Sequence, residues 1–412
     1  MTESSILIIG AGHAGVQTAV RLRELDWSGR VVLIDPDIGT PYERPPLSKE
    51  LLKLDTTEEV IPLRKDTFYE GQAIERISGT VSAIDAVNHA VELADGTRLD
   101  YTTLMLAPGS QARKLTCPGS DLPGVLSLKT REDARGIKAV LTRGARIAIV
   151  GAGYIGLEVA AAAAAAGCET TILEFQDRVM SRVTSEPVSR FFEGLHAEQG
   201  TSLVFGAAVT EITGDGKVEG VVTADGQTYA ADAVVVGIGV VPMHALATEA
   251  GLKAEDGIIV DADSRTSDPD IYAAGDATRL VWPEAGINRR LESIQSAVAQ
   301  AVNAANHIMG VTTTKREVPW FWTVQHGVRL QTAGLRTPED DIVVRGDAQT
   351  APFSVLYLRD GKLAAIDTIG SLKDFTAGKK LIAAAAAIDQ DAARDMNIKL
   401  SEAVRELASE AQ

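Results

Sequence analysis

The sequence predicts an α/β protein with two Rossmann-like dinucleotide-binding domains and an appended C-terminal α+β domain. Three observations carry that expectation. Two glycine-rich turns of identical spacing, Gly10 to Gly15 and Gly151 to Gly156, each follow a buried apolar strand and open a helix. A third apolar strand ends in Gly275-Asp276 ahead of a long striped helix. Beyond residue 318 the pattern changes to short alternating strands with a hairpin signal at Asp360-Gly361.

The first unit opens with a continuous apolar strand, Ile6 to Gly10, which runs into Gly10-Ala11-Gly12-His13-Ala14-Gly15. A helix is expected from Val16 to Leu25. The next strand, Val31 to Asp35, ends in a carboxylate 20 residues beyond Gly15. Gly10 permits a tight turn, Gly12 lets the backbone approach a pyrophosphate, and Gly15 lets helix and strand pack closely. The helix N-terminus offers amides to phosphate, and Asp35 can accept from a ribose. The second unit repeats this design. The strand Arg146 to Val150 leads into Gly151-Ala152-Gly153-Tyr154-Ile155-Gly156, then an alanine-rich helix from Leu157 to Ala166. The strand Thr170 to Glu174 again ends in a carboxylate, 18 residues beyond Gly156. Two complete patterns imply two dinucleotides.

Between the turns the chain is strand-rich. Strands are expected at 81–85, 90–93 and 99–106 around Asp95-Gly96, and at 218–223 and 227–231 around Asp225-Gly226, an internal duplication of organisation. A buried strand at 233–236 follows. The Gly275-Asp276 strand end can aim an amide and a carboxylate at a polar ligand, and a helix is expected over 293–309. The last segment holds Pro319-Trp320-Phe321-Trp322, strands at 328–333, 341–345, 353–358 and 363–367, and helices near 373–388 and 399–409.

Composition narrows the function classes. The 412 residues are 45% hydrophobic, which supports a real core. Forty Lys and Arg against 56 Asp and Glu leave a net charge of −16, which argues against nucleic acid as a partner. The two cysteines, Cys117 and Cys168, form no CxxC pair and suit a reducing compartment. No spaced Cys/His set marks a metal site. No signal-peptide pattern opens the chain and no apolar run reaches about 18 residues, so a cytoplasmic protein without a membrane span is expected.

The chain resembles the NADH-dependent, FAD-containing ferredoxin reductases of oxygenase systems, the group of putidaredoxin, rubredoxin and aromatic-ring dioxygenase reductases. The marks run through the whole chain: the turn at 10–15, the block Tyr42-Glu43-Arg44-Pro45-Pro46-Leu47-Ser48-Lys49, the second turn through Glu158, Gly237-Ile238-Gly239, Tyr272 to Ala277, Leu291 to Gln295, and Pro319 to Trp322. The resemblance implies a glutathione-reductase-like arrangement, with FAD bound by residues 1–112 and 242–318, NAD by 113–241, and a C-terminal domain at 319–412.

It also implies site roles. Ala11, Gly12 and Gly15 resemble the FAD phosphate turn and Asp35 the adenosine ribose ligand. Arg44 and Lys49 resemble the cations at the FAD phosphate and near the isoalloxazine, while Val81 and Arg131 match further FAD contacts. Asp276 resembles the carboxylate facing the ribityl chain, Ile294 the helix-start residue near the pyrimidine end, and Trp322 the aromatic against the ring system. For NAD, Gly153, Tyr154, Ile155 and Gly156 resemble the nucleotide turn, Glu174 the ribose acceptor, Arg182 a nucleotide contact, and Gly239 the residue under the nicotinamide. Lys49, Glu158, Glu292 and Trp322 form the candidate catalytic set. Glu158 and Glu292 are expected near the transferred hydride as neither acid nor base, because the protein's task is alignment.

The implied partner is a separate [2Fe–2S] ferredoxin, with rubredoxin as the alternative acceptor; a monomer or weak homodimer is expected. An NADH-sensing flavoprotein similar to apoptosis-inducing factor is the alternative of a different class. Disulfide reductases need cysteine beside FAD, and residues 40–60 have none. The sequence departs from the family at Pro108-Gly109, where Thr is usual, at Thr323-Val324-Gln325, where Ser-Asp-Gln is usual, and at Ile369-Gly370-Ser371. Arg289 and Arg290, with Arg329 second, are the expected docking cations for an acidic partner.

Overall fold

The computed structural model describes residues 4–37, 39–56, 61–283, 286–313 and 317–405. The chain divides into two compact units. The first comprises Met1–Arg44, Val60–Gln111 and Val240–Glu317; the second comprises Pro45–Glu59, Ala112–Gly239 and Val318–Gln412. Residues 45–56, which fall within the 1–112 part implied by the resemblance, group with the second unit.

The first unit is built on a five-stranded parallel sheet in the order Ile271–Ala273, Thr103–Leu106, Ser5–Ile9, Arg30–Asp35, Ile74–Ser78. Its central strand is buried at all five residues. Such continuous burial is what an uninterrupted apolar run requires, because both faces of the sheet are covered. The helices His13–Glu24 and Ile294–Ile308 pack small residues, Ala14, Ala19, Ala297, Ala304 and Ala305, into the same core as Ile6, Ile8 and Leu33. A three-stranded antiparallel sheet, Val81–Asp85, Ala90–Leu93 and Arg98–Asp100, completes this unit's expected hairpin region.

The second unit repeats the plan. Its parallel sheet runs Ser202–Phe205, Glu169–Glu174, Arg146–Val150, Ala233–Val236, Val125–Ser127. A matching antiparallel sheet is formed by Val209–Thr213, Gly220–Thr223 and Thr228–Ala230. The C-terminal part is a five-stranded antiparallel sheet in the order Trp320–Gln325, Val328–Gly334, Lys362–Ile369, Phe353–Arg359, Asp341–Arg345. The helix Leu372–Ala383 covers it through Phe375.

Four expectations are corrected. The two fingerprint helices start at His13 and Tyr154, three residues earlier than expected, because Gly12 and Gly153 are extended N-caps and the glycines at 15 and 156 lie inside the first turn. The strand expected over 99–106 is two strands in different sheets. Tyr101 N bonds His89 O while Thr102 N bonds Ser5 O, so the chain changes sheet between neighbours. The helix expected to 388 stops at Ala383, and Ala387 and Ile388 instead form isolated bridges with Lys362 and Val404. The helix expected over 399–409 is one 3-10 turn, Leu400–Glu402; residues 406–409 lie outside the described residues. No helix among the described residues is long and apolar enough to cross a membrane.

Candidate functional site: two dinucleotide turns and a buried ion pair

In the first unit the turn is shaped by close approach. Gly10 has φ +100°, and a Cβ there would lie 2.1 Å from Ala107 O. A Cβ on Gly15 would lie 1.9 Å from Gly10 O, so this glycine is required by helix–strand packing. Gly12 differs: among the described residues nothing beyond Gly12 and its two chain neighbours lies within 4 Å of the position its Cβ would take. Asp35 caps the design. Its Oδ2 accepts from Ala11 N at 2.6 Å and its Oδ1 from Asp37 N at 2.8 Å. The carboxylate is therefore pinned beside the turn, with acceptor capacity left over.

Beside it lies a cavity of about 460 Å³ lined by residues that include Ala11, Asp35, Tyr42, Arg44, Tyr69 and Arg76. The Arg44 guanidinium stacks on the Tyr42 ring at 4.2 Å. The Tyr69 hydroxyl is buried and has no hydrogen-bond partner among the described residues. Open space at Gly12, an orphaned hydroxyl and a pinned carboxylate fit the adenosine and phosphates of a dinucleotide. His13 sits between charges. Burial and then the Arg44 cation push its pKa down to about 4, against an opposing pull from Asp276, so it is neutral at pH 7. Asp276 accepts from Ser110 Oγ at 2.9 Å. Val81 is buried at the head of its strand. Ile294 is the first residue of its helix, after Ser293, whose hydroxyl accepts from Ser296 N at 3.1 Å.

Glu292 is paired with Arg290 at 2.9 Å, and Arg290 also meets Asp256 at 3.3 Å. The Arg290 side chain is 18% exposed. The expectation of Arg290 as a surface docking cation is therefore corrected: its charge is matched by two carboxylates within its own unit. Arg289 and Arg329 are exposed.

The second unit repeats the plan of the first turn. Gly151 has φ +101°, and a Cβ on Gly156 would lie 2.2 Å from Gly151 O. Glu174 Oε2 accepts from Ala152 N at 2.6 Å and Oε1 from Gln176 N at 2.8 Å. Gly153 caps the helix in an extended conformation, and Ile155 is 44% exposed at its start. The Tyr154 ring packs on Phe321 with centroids 4.6 Å apart. Burial, reinforced by the charge of Asp367, pushes its hydroxyl far above the ordinary tyrosine range. Gly239 has φ +98°, and Arg182 Nη2 lies 3.5 Å from where its Cβ would be. Thus the structure brings Arg182 and Gly239 together. Arg178 is turned into the protein and donates to Thr184 O, Ser189 Oγ and Ser181 O. Arg131 opens a helix and pairs with Glu132 at 3.3 Å. Trp322 stands beside Trp320 on one strand, with centroids 5.5 Å apart.

The Lys49 ammonium and the Glu158 carboxylate meet at 2.8 Å, with side chains 17% and 2% exposed. Glu158 also accepts from the Ser48 hydroxyl and, at 2.6 Å, from the Thr323 hydroxyl. A carboxylate this deeply buried requires such a set of donors. The Arg-Pro-Pro-Leu-Ser-Lys block thus also brings the Ser48 hydroxyl to this carboxylate, a contact with no signal in the local sequence. Thr323, at a departure from the family pattern, supplies the third donor. No short-range pattern links residues 48, 158 and 323. Phe175, 66% exposed directly after Glu174, is a further residue that the pattern alone did not single out.

A parallel sheet with a glycine turn and an acidic strand end, occurring twice, defines a protein with two dinucleotide-binding folds. The pyridine nucleotide-disulphide oxidoreductase family matches residues 4–301, and a reductase C-terminal family matches 320–404. The chain is 39% identical to a probable ferredoxin reductase of Castellaniella defragrans, over 96% of this chain and 98% of that one. It is 38% identical to a rubredoxin-NAD(+) reductase of Pseudomonas putida, over 89% and 95%. Among solved structures it is similar to putidaredoxin reductase in its covalent complex with putidaredoxin, at TM-score 0.93, 35% identity and 97% coverage of both chains. The ferredoxin reductase for the CYP199A2 system of Rhodopseudomonas palustris gives TM-score 0.94 and 37% identity, covering 98% of this chain and 100% of that one. The chain belongs to the family of FAD-containing, NAD(H)-dependent ferredoxin and rubredoxin reductases. It is an oxidoreductase that uses FAD and NAD.

Proposed function

We propose that this protein carries electrons from NADH through FAD to a separate [2Fe–2S] ferredoxin that serves an oxygenase. One observation carries the reading: two dinucleotide turns with the same pinned carboxylate, in a chain whose two cysteines are both unpaired. Two dinucleotide sites without a redox dithiol leave the electrons no acceptor inside the chain. They pass to an acceptor outside the chain, and the likeness to ferredoxin reductases supports a ferredoxin as that acceptor.

The chemical task has a simple balance. NADH supplies a hydride, two electrons and a proton's nucleus, whereas an iron–sulfur protein takes one electron at a time. Per NADH, two oxidised ferredoxins become reduced, and NAD⁺ and one proton are released. FAD, when bound, supplies the chemistry that converts hydride to single electrons. The chain binds and orients. Ala11, Gly12 and Gly15 offer the phosphate turn, Asp35 holds a ribose, and Arg44 offsets phosphate charge. Asp276, Val81 and Ile294 complete the first unit's share, and the family resemblance adds Lys49, Arg131 and Trp322. Gly153 to Gly156, Glu174, Arg182 and Gly239 are assigned to NADH. Glu292 stays a candidate beside the reacting atoms. Lys49 contributes a fixed positive charge held by Glu158.

The three-part division into residues 1–112 with 242–318, 113–241 and 319–412 belongs to the same reading. So does a cytoplasmic location, which suits two thiols that are not joined. Rubredoxin is the second acceptor, favoured by the likeness to a rubredoxin reductase. The test is NADH-driven reduction measured across purified ferredoxins and rubredoxins. Rapid turnover with a [2Fe–2S] protein is expected. Slow reduction of every acceptor, with a long-lived NAD–flavin complex, would point instead to an NADH-sensing role.

A further inference from the structure

Glu158 stands at one end of a continuous line of hydrogen bonds. Thr323 Oγ1 lies 2.6 Å from Glu158 Oε1, Gln325 Nε2 lies 3.3 Å from Thr323 Oγ1, and His196 Nε2 lies 3.0 Å from Gln325 Oε1. His326 Nε2 lies 3.3 Å from His196 Nδ1, and the two rings meet edge to face at 4.6 Å. Glu158, Thr323, Gln325 and His196 are each no more than 3% exposed. His326 is half-buried, in the turn that joins the strands Trp320–Gln325 and Val328–Gly334.

The donors along this line can be assigned from its end. A carboxylate held by an ammonium only accepts, so the Thr323 hydroxyl donates to it. That hydroxyl can then only accept from Gln325, which must present its NH₂. The Gln325 carbonyl oxygen therefore faces His196, whose Nε2 must carry the proton. Burial pushes His196 down to about 4, so at pH 7 it is neutral and its Nδ1 is bare. That lone pair accepts from His326 Nε2–H. Burial also lowers His326, and its Nε2 must carry the proton to donate to the bare His196 Nδ1. Every donor points one way, toward Glu158, and no buried polar atom in the line lacks a partner.

We propose that Thr323, Gln325 and His196 are positioning residues for the redox site: they fix the Glu158 carboxylate, and through it hold the Lys49 ammonium in one place. The proposal rests on the reading of Lys49 as a flavin-proximal cation. Without Thr323, Glu158 keeps Ser48 and Lys49 as its partners among the described residues. Without His196, the Gln325 amide is free to turn and Thr323 loses its fixed donor. A charge that must offset a developing anion works through its position, and an error of about 1 Å can cost up to a hundredfold in rate.

The test uses FAD-loaded full-length protein. Long-range ¹H–¹⁵N spectra with labelled histidine should show His196 and His326 neutral and protonated at Nε2 at pH 7. Thr323→Val and His196→Leu should slow NADH-driven flavin reduction about tenfold at nearly unchanged NADH KM. Both should move the flavin midpoint potential to more negative values. Thr323→Ser keeps the hydroxyl, and His196→Gln places an amide nitrogen where Nε2 stood. Both should recover the wild-type potential and rate to within about twofold. Equal impairment within each pair would mean packing rather than positioning and would overturn the proposal. So would wild-type potentials in all four variants, or Nδ1–H tautomers in the spectra. If NADH fails to reduce even the wild-type flavin, the functional reading itself falls and the proposed role with it, while the tautomers still report the line of bonds.

Discussion

Two neighbouring glycines separate the fold's demand for space from the cofactor's. At Gly15 an added methyl would sit 1.9 Å from Gly10 O, well inside the roughly 3.2 Å that a carbon and a carbonyl oxygen tolerate. The turn would have to move by more than about 1 Å, and overpacking of this kind costs about 1–3 kcal/mol. Gly15→Ala should therefore lower apoprotein stability as well as FAD binding. At Gly12 the φ is −76°, which any residue adopts, and no described atom beyond Gly12 and its two chain neighbours lies within 4 Å of the new methyl. Gly12→Ala should leave apoprotein stability within about 0.5 kcal/mol of wild type, or raise it slightly through the unfolded chain. Its cost should appear on FAD, whose pyrophosphate needs that open space. We expect at least about a tenfold loss of affinity, or 1.4 kcal/mol. Calorimetry of apoprotein gives the first quantity and fluorescence titration with FAD the second. Wild-type FAD affinity in Gly12→Ala would refute the assignment of this turn to the phosphates.

The remaining expectations concern coenzyme choice, pH and the C-terminal core. NADH should exceed NADPH in kcat/KM by at least about tenfold, because Glu174 is pinned by two amides and would repel a 2′-phosphate. Arg178 is occupied by Ser181, Thr184 and Ser189 and cannot compensate; Glu174→Gln should shrink the ratio, and equal values in wild type would refute the assignment. Asp367 is buried against Thr184 and Tyr357, and burial raises its pKa from 3.8 to about 6. A carboxyl raised in the folded state contributes stability that is full below about pH 4 and lost as pH rises through 6, at most about 3 kcal/mol. Asp367→Asn should match wild type in Tm near pH 4 and exceed it at pH 7; a difference independent of pH would contradict this. Arg345, 3% exposed, donates to the carbonyls of Ala393, Asp395 and Ile398 and to Asp374. Arg345→Met should cost about 3–5 kcal/mol in denaturant unfolding, and a loss under 1 kcal/mol would refute that role.

The parallel sheets and both turns were legible because their signals are local. An apolar run, three glycines at fixed spacing and a strand-end carboxylate lie within about one βαβ unit. The repeated hairpin sheets were legible for the same reason, through Asp95-Gly96 and Asp225-Gly226. What escaped was long-range. Thr102 hydrogen-bonds Ser5, and that pairing decides where the strand over 99–106 breaks. Arg290 reads as a surface cation until Asp256 and Glu292 are seen beside it. Glu158 reads as an isolated charge in an alanine helix; its meaning comes from Ser48, Lys49 and Thr323, residues more than a hundred positions away. The C-terminal helices were overdrawn because an alanine run has high helix propensity, and tertiary pairing of Ile388 with Val404 overrides it.

The most direct test is an anaerobic stoichiometric titration. Enzyme in catalytic amount, excess oxidised [2Fe–2S] ferredoxin and measured additions of NADH are mixed, and the iron–sulfur absorbance is followed. The account predicts two ferredoxins reduced for each NADH consumed, with no reduction when the FAD is removed and recovery when it is restored. NADH oxidation without reduction of any [2Fe–2S] ferredoxin in the panel, or ferredoxin reduction that persists in the FAD-free protein, would contradict it.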